Sequence, residues 1–76
     1  MSIFDNTNQA INIALQELAS GVRSGRFKTN GGDYAFRETA LDFWVLQQWY
    51  ASTRTGETIA FINHYGSEYA ATMKGE

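Results

Sequence analysis

From Ala14 to Gly56 the chain reads as helix, stop, short hairpin, capped helix, stop, and seventy-six residues leave little room for another arrangement. A helical run ends at Leu18-Ala19-Ser20-Gly21, where glycine takes the left-handed conformation that closes a helix. Asn30-Gly31-Gly32 supplies the positive φ angles of a tight turn, with Gly31 the central candidate, between Arg26-Phe27-Lys28 and Asp33-Tyr34-Ala35-Phe36. Thr39 then stands as a helix N-cap with Asp42 in the first turn, and the second helix stops near Thr55-Gly56. The expected fold class is α+β in the order α-β-β-α, a single small domain over residues 1–56, followed by a C-terminal arm over residues 57–76.

A chain this short buries a modest fraction of its surface and has no cysteine, so neither a disulfide nor a thiolate metal site can reinforce it. The composition is too apolar for a disordered chain and lacks the long apolar run of a membrane span or signal peptide. It fits a soluble protein made in the cytoplasm, with no membrane partner. Net charge is −2, short of the positive field of a dedicated nucleic-acid binder. Arg23, Arg26 and Lys28 nevertheless cluster with no acid between Glu17 and Asp33, a patch that suits DNA or an acidic partner as well as a solvated strand.

Phe4, Ile11, Leu15, Leu18 and Val22 recur at helical spacing and mark the core stripe of the first helix, with Ala10 and Ile13 off it. Ile13 is either half covered by the chain itself or available to a partner. In the hairpin, alternation puts Gly25, Phe27, Tyr34 and Phe36 on one face, toward the helices, and Arg26, Lys28, Asp33, Ala35 and Arg37 on the other. A turn at Asn30-Gly31 sets Phe27 opposite Tyr34 and Lys28 opposite Asp33; a turn at Gly31-Gly32 pairs Phe27 with Phe36 and keeps the same faces.

The expected second helix carries more apolar surface than its neighbours can cover. Leu41, Val45 and Trp49 form one stripe, and Phe43, Trp44, Leu46 and Tyr50 widen it to about half the circumference or more. The surplus is either a greedy core or a second face that packs on another subunit, and Trp and Tyr favour the interface, with Phe43, Trp44 and Tyr50 as its anchors beside Ile13. In the last twenty residues, Thr58-Ile59-Ala60-Phe61-Ile62 has strand composition while Ile59, Ile62, Tyr65, Tyr69 and Met73 approach helical spacing. Periodicity leaves the choice open. Ile59, Phe61, Ile62, Tyr65 and Tyr69 read as contacts of an arm that orders on binding.

The run Ala14-Leu15-Gln16-Glu17-Leu18-Ala19-Ser20-Gly21, then Arg23, Phe27, the Asn30-Gly31 turn, Tyr34 with Phe36, Thr39 and Thr55-Gly56 together resemble the gpW family of tailed-phage head-completion proteins, over residues 14–56. The resemblance implies two antiparallel helices with one two-stranded antiparallel hairpin. It further implies a virion protein of the neck that binds the portal protein after DNA packaging and offers a docking surface to the next neck or tail protein. Assembly would be as a homo-oligomeric ring of about a dozen copies, with DNA met at most non-specifically in the channel. Two features depart from the family pattern: the tail is acidic where an arginine-rich one is the norm, and Gln48 stands where an apolar core residue is preferred.

Enzymatic readings find little. His64 is the single histidine and reads as an ordinary side chain of the C-terminal segment, and no acid pair or Ser/His/Asp set falls on a rigid element. Gly31-Gly32 precedes a strand, so it is no phosphate-cradling loop. The expectation is therefore no catalysis, no metal and no cofactor. Besides the neck protein stand a small phage-encoded inhibitor that binds a host or defence protein through its exposed aromatics, and a weaker reading as a nucleic-acid module.

Overall fold

One helix, α1 (Ile3–Ala19), precedes five strands, β1 (Gly25–Thr29), β2 (Gly32–Ala40), β3 (Phe43–Tyr50), β4 (Thr55–Tyr65) and β5 (Glu68–Met73). The computed structural model describes the backbone of residues 3–74 and the side chains of residues 7–74. The strands pair antiparallel in sequence order, so the sheet is a simple meander with β1 and β5 at its edges. Residues 39 and 59 are extra in their strands: Glu38 faces Trp44 while Ala40 faces Phe43, and Leu46 faces Ala60 while Gln47 faces Thr58. Such bulges bend a strand and steepen its twist, and here they curl the sheet into a half-barrel around α1.

The helix ends as its sequence requires. Gly21 has φ 103°, its N–H donates to the Leu18 carbonyl, and the Val22 N–H reaches back to the Glu17 carbonyl at 3.0 Å, which together make a Schellman cap. The buried side of α1 is Ala10, Ile11, Ala14 and Leu18, with Leu15 and Val22 packed at its margin. Ala10, expected off the stripe, is fully buried; with Ala14 it lets the helix backbone lie close to the sheet. Phe4 belongs to the expected stripe but lies outside the described side chains.

The first hairpin follows the Asn30-Gly31 alternative. Phe27 pairs with Tyr34, Lys28 with Asp33 and Thr29 with Gly32. The Phe27 and Tyr34 rings stack at 5.6 Å, and Lys28 Nζ lies 3.8 Å from Asp33 Oδ1. The positive φ, however, belongs to Gly32 at 130°, and Gly31 instead donates its N–H to Thr29 Oγ1.

The α-β-β-α expectation is overturned at Thr39. That residue is the bulge of β2 where a helix cap was expected, Leu41 and Asp42 form a turn with Asp42 at φ 56°, and Phe43–Tyr50 is the central strand. The stripe of Leu41, Val45 and Trp49 misled because a spacing of four is also a multiple of two: Val45 and Trp49 lie on one face of a strand, and Leu41 is in the turn before it. What decides is composition: Phe-Trp-Val-Leu favours a pleated strand over a helix, and residues Phe43 to Trp49 pair with a neighbouring strand on both sides. Gly56 lies in β4 and terminates nothing. Residues 57–73 are not an arm; Ala60 and Ile62 are wholly buried core, and β5 packs against α1. The second hydrophobic partner of α1 is thus a continuous sheet, whose inward side is Tyr34, Phe36, Trp44, Leu46, Ala60 and Ile62.

Candidate binding face

Alternation along the strands leaves a second, outward side that α1 does not cover. On β3 it presents Phe43, Val45, Gln47 and Trp49 between the inward Trp44 and Leu46, and on β4 it presents Phe61 opposite Val45. Phe43 and Phe61 stack on each other at 5.8 Å, with Val45 next along the strand. Six residues of strand separate Phe43 from Trp49, about 20 Å. The face therefore has an apolar end and an aromatic end.

Trp49 is held on both sides. Its ring lies against Gly56, where a Cβ would come within 3.1 Å of the ring, so only glycine lets the indole lie flat on β4. The guanidinium of Arg26 sits above it, 5.5 Å from the ring centroid. Around this pair stand Arg37 on β2, Lys28 on β1 and Arg54 in the β3–β4 turn. Four of the six basic residues of the chain thus gather around Trp49, with Asp33 as their acid neighbour. Among the described residues no carboxylate pairs with Arg26, Arg37 or Arg54. A depression of about 720 Å³ opens between the first hairpin and the β3–β4 turn, lined by Arg26, Lys28, Trp49, Tyr50 and Arg54; a second, of about 460 Å³, continues past Arg26 and Trp49 to Arg37 and Gln47.

The residues expected to form an interface are divided by the sheet. Trp44 is fully buried and donates its indole N–H to the Arg23 carbonyl at 2.9 Å, so it anchors the α1–β1 loop and cannot reach a partner. Phe43 and Phe61 lie together on the outward face, while Tyr50 is at the far end of β3 and Ile13 is half-buried on α1. Ile62 is core and Ile59 packs against it; Tyr65 is exposed at the tip of the last hairpin. The basic patch is split as well: Arg26 and Lys28 face outward, but Arg23 donates to Glu38 Oε2 at 2.8 Å and covers the Trp44 ring.

A second polar cluster, missed in the sequence, lies at the opposite end of the molecule. Glu38 Oε2 accepts from Arg23 and from the Asp42 N–H at 2.9 Å; the His64 N–H donates to the Asp42 carbonyl, and the His64 ring stacks on Tyr69 at 4.3 Å. Bonding to Glu38 raises the Arg23 pKa above its ordinary value. These bonds close the β2–β3 turn against β4 and the loop after α1, a structural clasp. The signal was hidden because the partners are up to twenty-two residues apart.

No group of three His, Cys, Asp or Glu side chains among the described residues could hold a metal ion, and no helix there is long and apolar enough to cross a membrane. Comparison with protein-family models, curated proteins and solved structures finds no match. Of the residues quoted for the gpW resemblance, Ala14–Gly21 lie on α1 and its cap while those from Phe27 onward lie on a meander sheet, so the described residues lack the two-helix frame that the resemblance implied.

Proposed function

We propose that this chain is a protein-binding module, closest among the readings above to the small inhibitor, which holds an acidic partner on the outward face of its sheet. The observation that supports it is the division of that face: Phe43, Val45 and Phe61 form an apolar patch edged by Arg37, which stands opposite Val45, and Arg26, Lys28 and Arg54 line the depression at Trp49 beyond it. An apolar centre with a charged margin is how protein interfaces divide the work of burial and specificity. Nucleic acid fits less well, because the chain carries −2 overall and Arg26 already lies over the Trp49 ring where a base would stack.

A photo-crosslinking residue at Gln47, on the outward face, and another at Gln16, on the exposed side of α1, test the reading in the native host cell. The expected result is one discrete acidic protein captured from position 47, absent from position 16, which then binds the purified chain with an affinity that falls as salt rises. Equal capture from both positions, adducts to nucleic acid, or adducts only between copies of this chain would overturn it.

A further inference from the structure

Resting on that reading, we infer that the channel over Trp49 seats an extended segment of the partner in which carboxylates alternate with an apolar side chain. The two depressions share Arg26 and Trp49 and so form one trough across β1, β2 and β3, from the Ala51–Arg54 turn at one end to Arg37 at the other. The β2 stretch from Asp33 to Arg37 gives its scale, about 13 Å, the length of four extended residues. Three cations that have no carboxylate partner among the described residues mark its two ends and its middle: Arg54, Arg37 and Arg26. The Trp49 ring holds the Arg26 guanidinium over the trough, 5.5 Å from the ring centroid, where its five N–H groups are open to a carboxylate. Apolar surface for an intervening side chain is supplied by Trp49, with Tyr50 at the rim where β3 ends.

Arg54 is an independent indication. It stands at φ 55°, in the left-handed region that disfavours any residue with a Cβ and where glycine would be the ordinary choice. The turn holds it there: Thr53 Oγ1 and Thr55 Oγ1 are 2.7 Å apart on either side. Backbone strain retained at a residue whose side chain lines a cationic trough is characteristic of a ligand clamp. A second copy of the chain is a poor occupant, since face-to-face packing would oppose like charges.

An array of octapeptides varied in charge and apolar content, probed with the purified full-length chain, tests the proposal. Peptides with two or more acids flanking an aromatic or aliphatic residue should be retained, and their amide counterparts, with Gln and Asn for the acids, should not. Binding of the best peptide, followed by tryptophan fluorescence, should weaken at least tenfold in Arg54→Gly although this variant melts at a higher temperature than the parent, and at least threefold in Arg37→Gln. An array without acidic preference, equal competition by an oligothymidylate, or unchanged affinity in both variants would overturn the inference. If the protein captured at Gln47 still binds Arg54→Gly and Arg37→Gln as tightly as the parent, the trough proposal falls while the binding-module reading stands. If no protein is captured at all, the broader reading is the one that fails.

Discussion

A methyl group added at Gly32 would lie 3.2 Å from Gln48 Nε2 on a backbone at φ 130°, so this glycine, not its neighbour, carries the constraint of the first hairpin. Gly32→Ala should cost on the order of 1 to 2 kcal/mol, and Gly31→Ala clearly less; comparison of the two urea midpoints checks it. The faces of the hairpin were legible in the sequence, but three candidate turn residues in a row left two registers open and could not say which residue bears the left-handed angle; the structure takes the one that pairs Phe27 with Tyr34 and Lys28 with Asp33. Gln48, the departure from the gpW pattern, is explained at the same spot: its Nε2 donates to the Gly31 carbonyl at 3.1 Å and ties the turn to β3. Nearby, the hydrogen bond to Glu57, then partial burial and the Glu57 charge, raise the Tyr50 pKa above the ordinary tyrosine value. The folded state therefore favours the neutral phenol. Its contribution to stability is complete below the unfolded tyrosine pKa and is lost as pH rises through the higher folded value. Absorbance titration should find one tyrosine ionising late, abolished by Tyr50→Phe and returned toward normal by Glu57→Gln; an unshifted difference curve between parent and Tyr50→Phe would contradict the assignment.

At the scale of elements, α1 and the first hairpin were legible and everything after Thr39 was not. The helix announced itself by a long 3.6-residue pattern closed by a glycine, and the hairpin by alternation about a turn, both local signals. β3 is apolar on both sides, since one side faces α1 and the other carries Phe43, Val45 and Trp49 on the outward face, and such a strand has no alternation to read. The same double burden concealed how the apolar surplus divides: Phe43 lies on the outward side and Trp44 in the core, and the seat of Trp49 needed the glycine opposite it across the sheet. β4 hid for a further reason, because the bulge at Ile59 breaks its period of two midway. Truncation after Gly56 provides the corresponding test. It removes Ala60 and Ile62 from the core and strips β3 of one of its two neighbours, so the remaining chain should be unfolded by circular dichroism, whereas an α-β-β-α domain would survive it. A milder probe is Leu46→Ala at a fully buried position, expected to cost about 2 to 5 kcal/mol, which is most of the stability a domain this small has.

For the whole molecule the distribution of charge governs association. The chain carries −2 overall, yet its outward face gathers Arg26, Lys28, Arg37 and Arg54 against Asp33, so the remainder of the surface is correspondingly acidic. Two copies approaching through their outward faces gain by burying Phe43, Val45 and Phe61, roughly 1.5 to 3 kcal/mol for each side chain fully covered, and lose by bringing two sets of cations together. At about 0.1 M salt the screening length is near 10 Å, comparable with the spacing of those cations across such a contact, and repulsion keeps the copies apart. At about 1 M salt the length falls to roughly 3 Å and the apolar term is left nearly unopposed. The free protein should therefore sediment as a monomer at low salt and associate weakly as salt is raised, the reverse of its expected behaviour toward an acidic partner. Val45→Glu should abolish the high-salt association without unfolding the chain, because Val45 is half-exposed and points away from α1. A salt-independent oligomer, or one that persists in Val45→Glu, would place self-association on another surface.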